Sequence, residues 1–390
     1  YGGVYPNLAK REHGRNLPPL LQKALQESGL WQSNLTDDAR ENSEQNLSSA
    51  SYSSYESYQS YSPELWEKIK KILSKEAGVF EVFKASLEHI ARPNIDLIAV
   101  TSGPGLEPAL WVGISFAEAL CVLWNIPVLP TNHMEGHITS VLLDGGDEVK
   151  SRKLKVESAN QVSHLISHIS TPVQFPALAL LISGGHTELV EIQNWGRYKK
   201  IGQTRDDAVG EAFDKVARML SLPYPGGPEV SKQAHRAREK NLPQIFTLPR
   251  PMIHSNDFDF SFSGLKTSVL YTLRDHKKQT DKMTEDEVYD LCREFENSVT
   301  DVLLSKTGRA LEEHGARTLI IAGGVVANTH IRQSFTALIQ EKFPDITLRI
   351  PTKNMATDNA LMIASAGYIE YLLHPENVSE KIKAQGNMSF

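Results

Sequence analysis

Three times along this chain an apolar run of strand length ends in a glycine turn. Ile95–Thr101 precedes Gly103-Pro104-Gly105, Ala177–Ile182 precedes Ser183-Gly184-Gly185, and Thr318–Ala322 precedes Gly323-Gly324. An apolar helical stretch, Leu110–Trp124, follows the first turn; Leu189–Ile192 follows the second, and a helix is expected from near Asn328 after the third. Strand, turn and helix in alternation predict an α/β fold with buried strands. Glycines placed directly after a buried strand allow backbone amides to approach an anionic ligand closely, because no Cβ intervenes. Each half of the chain owns such a turn, so two turns clasping one phosphate-bearing ligand is one reading and plain tight turns the other.

At 390 residues the chain is long enough for two domains. Its only cysteines, Cys121 and Cys292, can build neither a disulfide framework nor a four-cysteine metal site, which predicts a soluble protein of the reducing cytoplasm. No run approaches the roughly 18 uninterrupted apolar residues of a membrane span. The net charge of −6, from 41 basic and 47 acidic side chains, argues against a broad basic face for nucleic acid. Local clusters at Arg197–Lys200, at Arg236, Arg238 and Lys240, and at Lys277–Lys278 read as solvated surface that is able to touch a few phosphates. The Asn-x-Ser/Thr triplets at Asn34, Asn46, Asn377 and Asn387 read as chance occurrences.

Between Ser43 and Ser62 there are nine serines, with Tyr52, Tyr55, Tyr58 and Tyr61 spaced three apart. Such a composition cannot bury a core of its own and predicts a disordered insertion, dispensable for folding. Helical periodicity then resumes over Pro63–Ala77, with Leu65, Ile69, Ile72 and Leu73 on one side.

Asn132-His133-Met134-Glu135-Gly136-His137 follows the strand-like run Ile126–Pro130 and places two imidazoles at i and i+4, on one helix face. That spacing suits two nitrogen ligands of one divalent metal, with a third ligand needed from elsewhere. Glu135 stands two residues after His133, so the pattern is not that of a zincin protease, and it reads as a surface charge. Asp358, in Thr357-Asp358-Asn359 between the strand-like Ile346–Pro351 and the apolar helix Leu361–Leu373, is a candidate third ligand; Thr357 or Asp358 acting as the helix N-cap is the alternative. Asp206 and Asp207 read as acids at the start of a helix that contains Asp214. Tyr224-Pro225-Gly226-Gly227-Pro228 reads as a rigid loop, and Phe258–Lys266 alternates apolar with polar residues as a half-buried strand does.

Taken together, these segments resemble the TsaD-like family of tRNA threonylcarbamoyl transferases, formerly labelled O-sialoglycoprotein endopeptidases. The residues that carry the resemblance are Asn132–His137, Ile182–Thr187, Gly210–Lys215, Tyr224–Pro228, Phe260–Thr267, Ala322–Asn328 and Thr357–Asn359, in family order, and their wording is similar to the bacterial and organellar branch. The match runs from Tyr1 to about Glu370, broken by the insertion.

The resemblance implies an α/β actin-like ATPase (ASKHA) fold of two related domains with the active site in the cleft between them. The first would be 1–174, containing the insertion at 43–62 and completed by the C-terminal helix 359–390; the second would be 175–358. It implies transfer of a threonylcarbamoyl group from threonylcarbamoyl-AMP to the exocyclic amine of the adenosine 3′ of the anticodon, in tRNAs reading codons that begin with adenine. Carried over by position, His133, His137 and Asp358 would hold one iron(II) or zinc ion, and Leu181, Ile182, Ser183, Gly184, Gly185, Asp214, Gly227 and Asn328 would line the adenylate site. The chemistry is metal-assisted, with no general base assigned. Implied partners are tRNA, a paralogous actin-like subunit and a small ATPase, with a homodimer as a further state and no membrane. Localisation is expected to be cytoplasmic, or mitochondrial if a targeting segment precedes the chain. The family opens with a Gly-Ile-Glu-Thr-Ser-Cys-like strand before the Tyr-Gly-Gly-Val motif; this chain starts at the motif, so that strand is expected to be missing and the activity reduced. Rival readings are a sugar or acetate kinase, which would need hard oxygen ligands around magnesium, and an actin-like ATPase or chaperone-like scaffold without acyl transfer.

Overall fold

A computed structural model of the chain describes residues 6–31, 61–74, 78–143, 173–279, 283–379 and 381–390. The expected insertion therefore falls outside the described residues except at its end, where the Ser62 hydroxyl accepts the Leu65 amide at 3.3 Å and caps the following helix. Asn34 and Asn46 also lie outside them. The described chain divides into two units, residues 1–133 with 374–389, and residues 134–373 with 390.

The first unit contains α1 (Pro6–Glu27), α2 (Pro63–Leu73), α3 (Val79–Leu87), β1 (Ile98–Gly103), α4 (Glu107–Trp124) and β2 (Val128–Asn132). β1 and β2 pair in parallel, Ile98 opposite Val128 and Thr101 opposite Thr131. α4 has 18 residues and a mean hydropathy of 1.3, long and apolar enough by length and composition to cross a membrane. Here it is the core helix of the unit: Phe116, Leu120 and Trp124 pack with Ile69, Phe83 and Leu87, while Ile114 and Ala117 pack with Val128.

The glycine turn after β1 is occupied by the chain's own C-terminal segment. Ser102 O accepts the Gln385 amide at 2.8 Å, Gly386 O accepts the Gly105 amide at 3.1 Å, and a Cβ on Gly103 would stand 2.1 Å from Gln385 O. This turn is therefore a docking point for the tail, and the two turns that face a ligand space both lie in the other unit.

The second unit contains α5 (His133–Thr139, its first residue assigned to the first unit), β3 (Ala177–Ile182), β4 (Thr187–Asn194), β5 (Arg197–Gln203), α6 (Val209–Met219), α7 (Gly226–Glu239), α8 (Ser263–Gln279), α9 (Glu285–His314), β6 (Thr318–Ala322), α10 (Thr329–Lys342), β7 (Thr347–Arg349), α11 (Lys353–Ala356) and α12 (Ala360–Leu373). Its sheet has the order β5-β4-β3-β6-β7. β3 pairs antiparallel with β4 and parallel with β6, so the Ser183 turn closes a hairpin instead of leading into a helix. Every residue of β3 and β6 is buried. Leu178, Leu180 and Ile182 enter one hydrophobic cluster, and Ala177, Ala179 and Leu181 enter the cluster on the opposite face. A strand covered on both sides reads as a continuous apolar run, which is why its bounds match the sequence expectation.

The observed division differs from 1–174 and 175–358. α12 belongs to the second unit, because Ile369 packs with Leu181, Ile320 and Trp195; only residues 374–389 join the first. The expected strand over Phe258–Lys266 is an isolated bridge from Phe260 to Thr204, and α8 begins at Ser263. Its alternation is genuine: Phe258, Phe260 and Phe262 are buried in the core, which a helix-entry segment satisfies as well as a strand does.

Candidate functional site

Two features stand out, a donor group at the start of α5 and a cavity at the carboxyl ends of β3 and β6. β2 passes into α5 without a loop. His133 and His137 therefore lie one above the other, and Asp358 joins them: ligand atoms of the three side chains all lie within 4.8 Å of one another. His137 Nε2 is 3.3 Å from Asp358 Oδ1. Ligands of a tetrahedral ion bound at about 2.1 Å stand about 3.4 Å apart, so this pair has the spacing of two ligands on one ion. Two imidazoles and a carboxylate are the donor set of zinc or iron, not of magnesium.

Asp358 is not the helix cap. Asn359 Oδ1 accepts the Met362 amide at 3.0 Å and starts α12. Glu135 is not a surface charge either: its carboxyl is pushed up to about 7, first by burial and then by Glu370. Gly136 permits close packing of α5 on α12, since a Cβ there would meet Ile363 Cδ1 at 2.9 Å.

The cavity encloses about 660 Å³ within the second unit. Gly184 and Gly324 border it from the turns after β3 and β6, Phe213 and Asp214 from α6, Gly227 and Ser231 from α7, and Asn328 from the start of α10. Two further glycines, Gly210 in the lining and Gly323 beside it, make the enclosure possible. A Cβ on Gly210 would lie 2.8 Å from Gly184 Cα, and Gly323, at φ +98°, would bring one to 2.5 Å from Ile182 O. The Asp214 carboxylate accepts the Gly226 amide at 2.7 Å and so pins the beginning of α7, where the sequence predicted a loop; Gly226, Gly227 and Pro228 are the first residues of that helix.

Of the adenylate residues expected, Gly184, Asp214, Gly227 and Asn328 are brought together around this cavity. Leu181 and Ile182 are fully buried and packed in opposite clusters, so their side chains are core. The Ser183 hydroxyl accepts the His186 amide at 3.0 Å and the Gly185 amide at 3.4 Å, which makes it a turn residue. Asn328 Oδ1 caps α10 by accepting the Ile331 amide at 3.0 Å. Sequence reasoning missed Ser231, Glu296 and His330, which also border the cavity, and read Arg238, another lining residue, as solvated surface able to touch phosphates. Burial, and next Arg238, lowers the His330 pKa and favours its neutral form.

Asp206 and Asp207 precede α6 and have work other than its dipole. The Asp206 carboxylate accepts the Phe262 amide at 2.8 Å, the Ser263 amide at 3.1 Å and the Ser261 hydroxyl at 2.5 Å. Partial burial pushes its pKa up, and these bonds outweigh that to leave it lowered. Asp207 pairs with Lys215 at 2.7 Å and Lys266 at 3.3 Å. Both acids tie the Phe258–Lys266 segment to α6, a structural role.

A mixed α/β protein with a candidate metal-ligand group of two histidines and a carboxylate, and a separate cavity at strand ends, is built to bind a ligand at the ends of its central strands. The chain matches the family described as TsaD, tRNA N6-adenosine threonylcarbamoyltransferase, over residues 79–151 and 151–365. It is 37% identical over 384 residues to a protein of that name from Polynucleobacter asymbioticus, covering 95% of this chain and 80% of the relative. With the one from Chromobacterium violaceum it shares 36% over 367 residues, covering 94% and 81%. The chain belongs to the tRNA N6-adenosine threonylcarbamoyltransferase family. Among solved structures, full-length HypF in the phosphate- and nucleotide-bound form has a TM-score of 0.48 at 10% identity, covering 77% of this chain and 43% of HypF.

Proposed function

We propose that this chain transfers the threonylcarbamoyl group of threonylcarbamoyl-AMP to the exocyclic amine of the adenosine 3′ of the anticodon, in tRNAs reading codons that begin with adenine. The observation that carries the reading is the convergence of His133, His137 and Asp358, drawn from two distant family motifs, to within 4.8 Å. In the reaction the N6 nitrogen bonds to the carbonyl carbon, the bond from that carbon to the phosphate oxygen breaks, AMP departs, and the amine releases one proton. The donor is an activated mixed anhydride, so positioning the amine and stabilising charge on the carbonyl oxygen are the main requirements. An iron or zinc ion held by His133, His137 and Asp358 would supply Lewis-acid stabilisation of that oxygen. Gly184, Gly227 and the Asp214-pinned start of α7 would hold the nucleotide in the cavity.

A paralogous actin-like subunit and a small ATPase as partners, and a cytoplasmic location, belong to the same proposal; a content of only two cysteines, Cys121 and Cys292, supports a reducing compartment. The test supplies the full-length protein and those partners with threonylcarbamoyl-AMP and unmodified tRNA, and measures the nucleosides of the recovered tRNA by mass spectrometry. Threonylcarbamoyladenosine is expected; its absence overturns the proposal.

A further inference from the structure

The geometry points to residues 381–389 as a strap that positions His133, a candidate metal ligand, by gripping the ends of β1 and β2; Asn132, the residue before it, is the positioning residue through which the strap acts. This rests on the metal-site reading above and extends it to a segment outside the residues matched to the family, 79–151 and 151–365.

The strap is anchored along its length within the first unit. Ile382 is buried against Leu110, Ile114, Ala117 and Val128, and its amide donates to Glu118 Oε1 at 3.0 Å. The Gln385 amide donates to Ser102 O at 2.8 Å, and Gly386 O accepts the Gly105 amide at 3.1 Å. Met388 Sδ lies 4.0 Å from Ser102 Oγ, and Ser389 O accepts Asn132 Nδ2 at 3.4 Å. Two glycines permit this closeness. A Cβ on Gly103 would stand 2.1 Å from Gln385 O and 2.8 Å from Met388 Cβ, and one on Gly386 would stand 3.1 Å from Gly105 O.

The sheet register carries this grip to the donor group. Gly103 is the β1 partner of Asn132, and Asn132 ends β2 where α5 begins with His133, with no loop between them. The amides of a helix's first turn have no partner inside the helix, so the helix itself does little to fix the direction of its first residue. For His133 that direction comes from Asn132, which is buried, paired with β1 and bonded through its side chain to the strap. Removing the hydrogen bond that orients a metal ligand typically costs about ten- to a hundredfold in affinity for the ion.

The test titrates the metal-free full chain with cobalt(II), whose visible absorption reports the ligand geometry, and measures the dissociation constant by competition with a chelator. Asn132→Ala removes the donor to Ser389 O. Gly103→Ala drives a Cβ into Gln385 O and lifts the strap off the turn. Leu123→Ala opens the core of the same unit and serves as the stability control. Both strap variants are expected to weaken cobalt binding roughly tenfold and to shift its absorption band, while Leu123→Ala, though less stable, stays within about twofold of the unaltered protein. The double variant Gly103→Ala, Asn132→Ala should lose no more affinity than the weaker-binding single one, because both act through one contact. If Gly103→Ala fails to fold, Asn132→Ala against Leu123→Ala decides. Cobalt affinity unchanged in the strap variants, an equal loss in Leu123→Ala, or losses that add in the double variant overturn the inference and leave the metal-site reading standing. No cobalt binding by the unaltered protein, or undiminished binding by His133→Ala, overturns both.

Discussion

The Asp358 carboxylate lies 3.3 Å from Nε2 of His137, and it is there because its neighbour Asn359 supplies the cap of α12. Had Asp358 capped the helix, its oxygens would have been turned toward the amides of the first helical turn. The division of labour between adjacent residues is what completes the donor group that α5 begins.

His133→Ala or Asp358→Ala should leave the purified protein with little or no bound iron or zinc, measured by elemental analysis. Asp358→Asn, which keeps the shape but loses the charge, should weaken binding by at least tenfold, since two neutral imidazoles retain a divalent ion poorly. Full metal occupancy in His133→Ala would place the metal elsewhere. Removal of the ion with a chelator should abolish transfer, and iron or zinc should restore it.

The two glycines bordering the β3 and β6 turns should separate stability from binding. Gly323→Ala forces a side chain into φ +98° with its Cβ 2.5 Å from Ile182 O, and should cost roughly 2 kcal/mol or more in urea unfolding. A Cβ on Gly184 meets nothing within 4 Å. Gly184→Ala should change stability by less than about 0.5 kcal/mol yet weaken AMP binding, because the methyl takes up cavity space.

Asn328→Ala removes the cap of α10 together with two donors to Ser231 and Glu296. Loss of about 1 kcal/mol of stability is expected from the cap. Transfer should also fall, chiefly through a raised KM for threonylcarbamoyl-AMP, whereas Asp358→Ala should abolish transfer without that stability loss. Steady-state kinetics read beside thermal melts separate the two.

Acid should weaken the entry to α9. Glu287 is held at about 2, first by its bond with His276, then by the Thr284 amide and hydroxyl it receives in the capping box. A carboxyl whose folded pKa lies below the ordinary 4.5 contributes its stability above pH 4.5 and loses it as the pH falls toward about 2. Glu287→Gln should therefore be less stable than the unaltered protein at pH 7 and should show a shallower decline over that window, followed by thermal unfolding against pH.

The elements that local pattern announces appear nearly as expected. Ala177–Ile182 and Thr318–Ala322 are strands with those bounds, and His133 and His137 share the helix their spacing requires. Burial on two faces or on one helical face leaves a periodic trace in consecutive residues, so nearest neighbours in the chain suffice to read it. Phe258–Lys266 shows where this stops: its alternation records burial and not strand pairing, because no partner strand is legible in the segment itself.

Motif order and residue type also determined the family and the three metal-ligand candidates, since each type carries its own donor chemistry. Tertiary structure alone decided which of Thr357, Asp358 and Asn359 caps α12, that the turn at Gly103 receives the chain's own tail, and that Glu296 accepts hydrogen bonds from Ser231 and Asn328. A polar side chain has several satisfactory partners, and which one it takes depends on what the fold brings within about 3 Å, from elements far away in the chain. Apolar periodicity is a property of a segment; hydrogen-bond direction is a property of the place where segments meet.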